Sequence, residues 1–327
     1  MSSLPPPPPP ATQTIVIERR PKAGIVRRLL TVLAIGLVLF AVFSTLLVRE
    51  AGLPTRLPER YVAGELTGAK IAIVEVEGLI YDREVEHALR QLRQARDDDT
   101  VKAVVLRIDS PGGTVSGSDR IWREVEMLKR SGKPVVASLG GMAASGGYYV
   151  AAPADQVIAE PTTLTGSIGV ITELPNLEGL LDKLGIEMQT IATGKWKDSG
   201  SLFRPMTDEE RQRWKAMLDE AYGRFVRIVA RGRRLGPSEV ESLADGRLYT
   251  AEEALKLKLV DALGYLDDAI LAAQRRAKLE TARVVRYAQP FDWTEALRPF
   301  SRGGTGPALD PETLLRLQVP RILYLVR

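Results

Sequence analysis

The stretch 101-VKAVVLRIDSPGGTVSGSDRIWREVEMLKRSGKPVVASLG-140 decides the fold. Residues 101–110 are mostly apolar and rich in valine, as in a strand buried on both faces. Residues 116–132 carry apolar side chains at helical spacing and close on a glycine, and 134–140 is a second apolar strand. A helix between two buried strands is a βαβ unit, so the sheet is expected to be parallel with helices on both faces. The alternation continues outward in both directions. Upstream, 70–80 reads as a strand and 83–98 as a helix. Downstream come a strand at 156–160, a short segment at 167–171, a helix at 177–185 and a strand at 187–193. Helices are expected over 207–235, 237–244, 250–258 and 265–278. No internal repeat stands out, and no second core of independent size.

Of the 327 residues, 45% are apolar and 26% charged, the balance of an ordinary globular protein. A net charge of +4 with well-mixed acids gives no nucleic-acid footprint. The absence of cysteine excludes disulfides, thiolate zinc sites and a cysteine nucleophile, and a single histidine narrows the choice of bases.

The first seventy or so residues differ from the rest. A proline run at 5–10 favours an extended polyproline conformation. Arg19, Arg20, Lys22, Arg27 and Arg28 then precede 29-LLTVLAIGLVLFAVFSTLLV-48, an uncharged stretch of about twenty residues, the length that crosses a bilayer as a helix. It is too long for the apolar region of a cleaved signal peptide, and no clear small-x-small site follows. Cations ahead of the span place the N-terminus in the cytoplasm and everything beyond residue 49 outside. The expected organisation is a cytoplasmic leader (1–28), a single-pass membrane anchor (29–48), a linker (49–69), a globular domain (70–280) and a C-terminal extension (281–327). The extension contains a strand-like 284-VVRYAQ-289 and is otherwise read equally well as partly disordered or as docked onto the domain or a neighbouring subunit. Its apolar end, 321-RILYLV-326, is also compatible with a peptide groove.

Candidate chemistry begins at 139-LGGMAASGGYY-149, where Ser145 follows an apolar strand and leads into a helix. A serine at such a turn faces the free N–H groups and positive dipole of the helix start. Glycines around it admit a close approach of substrate backbone. A second pair, Gly112 and Gly113, ends the strand of 108-IDSPGG-113, and sites in such sheets lie at the carboxyl ends of strands. Pro111 before them suggests a turn whose consecutive N–H groups point at one spot, as an oxyanion hole requires. Against this stands the plain alternative of a tight Gly/Ala-rich turn.

The base is the open question. His87 sits about 200 degrees around its helix from Val85, on the polar face, so a solvated surface histidine is expected rather than a triad member. A lysine whose ammonium is disfavoured by burial also accepts a serine proton. In 193-TGKWKDSGSLFRPMT-207 two lysines bracket a tryptophan between glycines. Lys195 and Lys197 serve equally on chemical grounds, and a basic surface loop is the bland reading.

Taken together, IDSPGG, SLGGMAASGGYY, TGSIGV and TGKWKDSGSLFRPMT, in that order after an N-terminal anchor, resemble the signal peptide peptidase A family of serine endopeptidases, peptidase family S49. The likeness covers roughly residues 70–275, including 246-GRLYTAEEALKLKLVDALGYLDDAI-270. It implies an α/β fold of the ClpP/crotonase type, a spiral of βαβ units, and a ring-shaped homo-oligomer. It also implies Ser145 as nucleophile, Lys197 as general base with Lys195 as its neighbour, and Ser167 as a hydrogen-bond partner of the base. Gly112 would be the oxyanion donor, with Gly146 as a second donor beside Gly113. No metal or cofactor is implied. The substrates would be apolar peptides such as remnant signal peptides in the membrane. Two rival readings remain: a crotonase-like acyl-CoA enzyme, disfavoured by an external location, and a non-catalytic membrane scaffold on the same fold.

Overall fold

The computed structural model describes residues 23–50, 56–288 and 323–326. The proline run, most of the leader and the stretch 302–318 lie outside the described residues. The chain divides into two units, 1–55 and 56–327.

In the first unit, Ala23–Glu50 forms helix α1. Its 28 residues span roughly 42 Å at 1.5 Å per residue. The window Arg27–Ser44 has a mean hydropathy of 1.9, long and apolar enough to cross a membrane.

The second unit is a mixed α/β domain. Its elements, in chain order, begin with strands β1 (Glu59–Gly64) and β2 (Lys70–Ile80), helix α2 (Asp82–Asp97), β3 (Val101–Thr114) and α3 (Val115–Arg130). There follow β4 (Val135–Ala144), α4 (Gly146–Ala151), β5 (Gln156–Ala159), β6 (Leu164–Gly166), α5 (Glu178–Lys183) and α6 (Asp208–Arg233). The chain continues through α7 (Pro237–Leu243), β7 (Leu248–Thr250), α8 (Ala251–Lys256), β8 (Ala262–Leu263) and α9 (Leu266–Arg276) to β9 (Arg283–Tyr287) and β10 (Leu323–Leu325).

One sheet joins them in the order β1-β9-β2-β3-β4-β5-β8. From β9 to β8 the neighbours are parallel, as the crossover helices require. Alternate residues of the central strands enter two separate cores. Ala72, Val74, Val104 and Leu106 pack with α2, α3, α4 and α6 on one face. Ile71, Ile73, Ala103 and Val105 pack with α9 on the other. Burial on both faces is why these strands carry continuous apolar runs.

The sheet reaches past the expected domain boundaries. β1, in the stretch read as linker, pairs antiparallel with β9, in the stretch read as extension, and β10 pairs with β3. Two other expectations change. Residues 187–193 form no strand: they are exposed irregular chain, with Ile191 99% exposed, because no sheet edge receives them. The PGG of IDSPGG is not a turn but the end of β3, with Gly112 and Gly113 opposite Leu79 and Ile80. A shift of register there, between Glu77 and Leu79, gives Pro111 the irregular position that a strand proline needs.

Candidate active site

β4 ends at Ala144, and the chain reverses into α4 through Ser145 at φ 52° and ψ −116°. Only glycine adopts that region freely, so the turn holds Ser145 under backbone strain. Three contacts impose it: the Ser145 N–H donates to Gly166 O (2.8 Å), Tyr149 N–H donates to Ser145 O (2.8 Å), and Ala144 pairs with Gly166 of β6. Ser145 is 1% exposed.

The glycines after it are needed for contact. A Cβ on Gly146 would lie 2.5 Å from Ser118 Oγ and 3.1 Å from Gly113 N, and one on Gly147 2.8 Å from Ser110 O. The start of α4 is therefore pressed backbone to backbone against the end of β3. Gly112, at φ +106°, lies on the other side of the same point: an added Cβ would come 2.8 Å from Gly146 N and overlap Tyr324 O.

Tyr324 belongs to β10, which lies antiparallel along Gly112–Thr114. On its other edge Leu323 exchanges both backbone hydrogen bonds with Ile171 (2.9 and 3.0 Å). Val326 N–H donates to Pro111 O at 3.1 Å. The Tyr324 ring is fully buried between Tyr149 and Phe225, with centroids 4.9 and 4.7 Å away, and its hydroxyl donates to Ala221 O. Burial pushes the hydroxyls of Tyr149 and Tyr324 well above the ordinary phenol range, so both remain protonated donors.

Ser167 follows directly. It has φ 48°, donates its N–H to Arg247 O, and lines a cavity of about 570 Å³ with Ile171, Tyr222, Leu325 and Val326. The structure thus gathers Ser145, Gly146, Gly112 and Gly113 around one turn, with Ser167 on the adjoining strand end. One donor differs from expectation. The Gly112 N–H is not free: it donates to the buried Ser110 Oγ at 3.1 Å, which in turn donates to Gly78 O at 2.6 Å.

Lys197 is not gathered there. It sits on an exposed turn, and its amine has no hydrogen bond or ion pair among the described residues, so the single chain does not supply the expected burial. Lys195 is engaged, 2.5 Å from Glu209 and over the Trp196 ring at 5.1 Å. The arm carrying both lysines is clamped at its base: Arg204 holds Asp198 (2.8 Å) and Glu210 (2.6 Å), and Trp214 donates to Ser199 Oγ. Beyond the clamp the arm exposes Leu180, Leu184, Ile186, Met188 and Ile191.

His87 is half-buried rather than solvated. It lines a cavity with Glu75, Glu77, Arg286 and Tyr287 of β2 and β9, on elements other than the Ser145 turn. Its Nδ1 lacks a hydrogen-bond partner, and burial pushes its pKa down. Among the described residues no group of three or more histidine or carboxylate side chains offers a metal site.

Sequence reasoning missed Ser110, Ser118 and the pair Tyr149–Asp119. Ser118 is a buried hydroxyl without a partner beneath Gly146. The Tyr149 hydroxyl donates to Asp119, which also accepts from Arg224. The hydroxyls of 108-IDSPGG-113 and 114-TVSGS-118 were visible, but nothing in their spacing marks them as facing Ser145.

A parallel sheet with a strained serine at a strand-to-helix turn, facing a glycine edge that already holds an extended strand, defines a Clp-protease-like domain, and the Clp protease family model matches residues 66–165. The model of peptidase family S49 matches residues 127–280. A putative protease of Synechocystis is 40% identical over 240 residues, covering 73% of this chain and 84% of that protein. The chain belongs to peptidase family S49. It is also similar to Protease 4 of Haemophilus influenzae (38% over 228 residues, 68% of this chain and 37% of that protein). A putative signal peptide peptidase SppA of Enterococcus faecium is 39% identical over 202 residues, covering 62% of this chain and 59% of that protein. The chain thus spans little more than a third of the length of Protease 4.

Proposed function

We propose that this chain is a membrane-anchored serine endopeptidase in which Ser145 is the nucleophile and Lys197 the general base. The observation that carries the reading is β10 on the Gly112–Thr114 edge beside the Ser145 turn. An extended peptide held there by main-chain hydrogen bonds would present a carbonyl to Ser145.

Neutral Lys197 takes the Ser145 proton as Oγ attacks, and the ammonium then protonates the leaving amine. Water, deprotonated by the same lysine, hydrolyses the acyl-enzyme. The oxyanion takes the Gly146 N–H, one of the donors a helix start leaves without an intrahelical acceptor, together with the Gly112 N–H once released from Ser110. Ser167 orients the lysine. A second copy of the chain covers the apolar arm and desolvates Lys197, in keeping with a ring-shaped homo-oligomer. The substrates are apolar peptides such as remnant signal peptides. α1 anchors the chain with its N-terminus cytoplasmic and the catalytic domain outside, a reading supported by the cations Arg19, Arg20, Lys22, Arg27 and Arg28 ahead of the span.

The exposure of Lys197 favours one competing reading, a non-catalytic scaffold on the same fold. A serine-reactive fluorophosphonate probe separates the two. The peptidase reading expects an adduct on Ser145 that is lost in Lys197→Ala. A folded, assembled protein that forms no adduct is a scaffold.

A further inference from the structure

On the face of the domain formed by α3 and the far end of α6 lies a cleft of about 1040 Å³ that the peptidase reading does not use. Its cations come from three elements: Arg224, Arg227, Arg231, Arg233 and Arg234 from α6 and its C-cap, Lys129 and Arg130 from α3, and Arg276 from α9. Its acids are Glu126, Asp155 and Asp261.

Each of those acids is already matched. Asp261 holds Arg233 at 2.6 Å, Asp155 holds Lys129 at 3.3 Å, and Glu126 faces Arg231 at 3.8 Å. Asp119, behind the cleft, holds Arg224. The side chains of Arg130, Arg227 and Arg234 have no ion pair or hydrogen bond among the described residues, and that of Arg276 has only the neutral Gln156 amide. Four cations are left without a counter-charge.

All four unmatched arginines are exposed to solvent. Arg224, Arg227, Arg231 and Arg234 recur at spacings of three and four along α6, which stacks them on one face, where like charges repel. A helix C-terminus offers only about half a negative charge to offset this. The walls are also drawn together by design of the backbone: Gly232 lets α6 cross the end of α4 in direct contact with Ala152 and Pro153, where any Cβ would collide.

The residue type narrows the ligand. Every cation but Lys129 is an arginine, whose planar fork matches tetrahedral and planar oxyanions two bonds at a time. A phosphate monoester carries roughly −1.5 to −2 at pH 7, so two of them balance four unmatched cations, whereas the two diester phosphates of a lipid headgroup, at about −1 each, balance two. We propose that this cleft binds an anion bearing two or more phosphate groups, either a soluble one or a lipid headgroup. The assignment is independent of the peptidase reading.

The test uses the full chain in zwitterionic micelles. It is titrated calorimetrically with inorganic pyrophosphate and, separately, with micelles doped with cardiolipin, using sulfate at equal ionic strength as the control. Saturable binding of at least one is expected, weakened roughly tenfold or more in Arg227→Gln/Arg234→Gln and unchanged in Lys215→Gln at the other end of α6. Arg234→Lys, which keeps the charge and loses the fork, should weaken it less, and guards against misfolding of the double variant. Pyrophosphate binding alone marks a soluble ligand; cardiolipin binding alone marks a headgroup. Absence of saturable binding to both, binding no tighter than sulfate, or wild-type binding by the folded double variant overturns the proposal.

Discussion

The backbone N–H of Ser145 donates to the carbonyl of Gly166 across 2.8 Å. That one bond ties the turn after β4 to the end of β6, so Ser145 and Ser167, far apart in sequence, are carried on adjoining strand ends. Both serines have positive φ, and the bond lies between them.

The strain at Ser145 separates structure from chemistry. Ser145→Ala and Ser145→Gly are both expected to abolish peptide hydrolysis. The glycine variant should be the more stable of the two by roughly 1 kcal/mol, because it accepts φ 52° and ψ −116° without cost. Chemical denaturation of the two variants side by side checks this; equal midpoints would mean that the turn stores no strain.

The two lysines of the arm should part company. Lys197→Ala is expected to lower kcat by about 10²- to 10⁴-fold, the contribution of a positioned base. Lys195→Ala removes an exposed ion pair with Glu209 and a contact over the Trp196 ring, each worth about 1 kcal/mol or less, and should leave kcat near wild type. Steady-state kinetics on an apolar peptide decides, and the reverse ranking would reassign the base.

Tyr324 anchors β10. Tyr324→Ala should cost that strand about 3–5 kcal/mol of docking, by loss of a fully buried ring. With β10 released, the Gly112–Thr114 edge is open, and KM for an added extended peptide should fall. Truncation after residue 320 should do the same. An unchanged KM in both variants would show that β10 and substrate do not compete.

The clamp at the base of the arm is pH-dependent in a defined direction. The Arg204 guanidinium, aided by the backbone and hydroxyl of Thr207, holds the Glu210 carboxyl down at about 2, below the ordinary 4.5. A carboxyl depressed on folding contributes stability that is complete above 4.5 and is lost as pH falls toward 2. Wild type and Glu210→Gln should therefore differ most at neutral pH and converge in that acid window. Denaturation midpoints measured across it test the sign; a gap that widens on acidification would contradict it.

Local pattern was enough for much of this architecture. The βαβ unit of 101–140, the capping box of Thr207 and Glu210 that begins α6, and the serine between glycines all follow from short-range chemistry. What escaped was decided by distant partners. β1 is a strand because it pairs with β9, and its own stretch has no run long enough to announce itself. Residues 187–193 have strand-like composition but no edge to join. Pro111, Gly112 and Gly113 look like a turn by local rules, and pairing with β2 and β10 overrides them. The exposure of Lys197 matches the bland reading of 193–207 as a basic surface loop, and the motif around it says nothing of what would bury it.

Gly112–Thr114 and Ile171 together form a slot that accepts a chain through hydrogen bonds on both of its edges, as β10 shows. A slot of this kind filters by conformation before it filters by side chain. A helix, or a strand already paired in a sheet, has no free edges to offer, so folded neighbours are refused whatever their composition. The same geometry explains the value of keeping it filled: an empty two-sided slot would invite any unpaired strand, including those of its own kind.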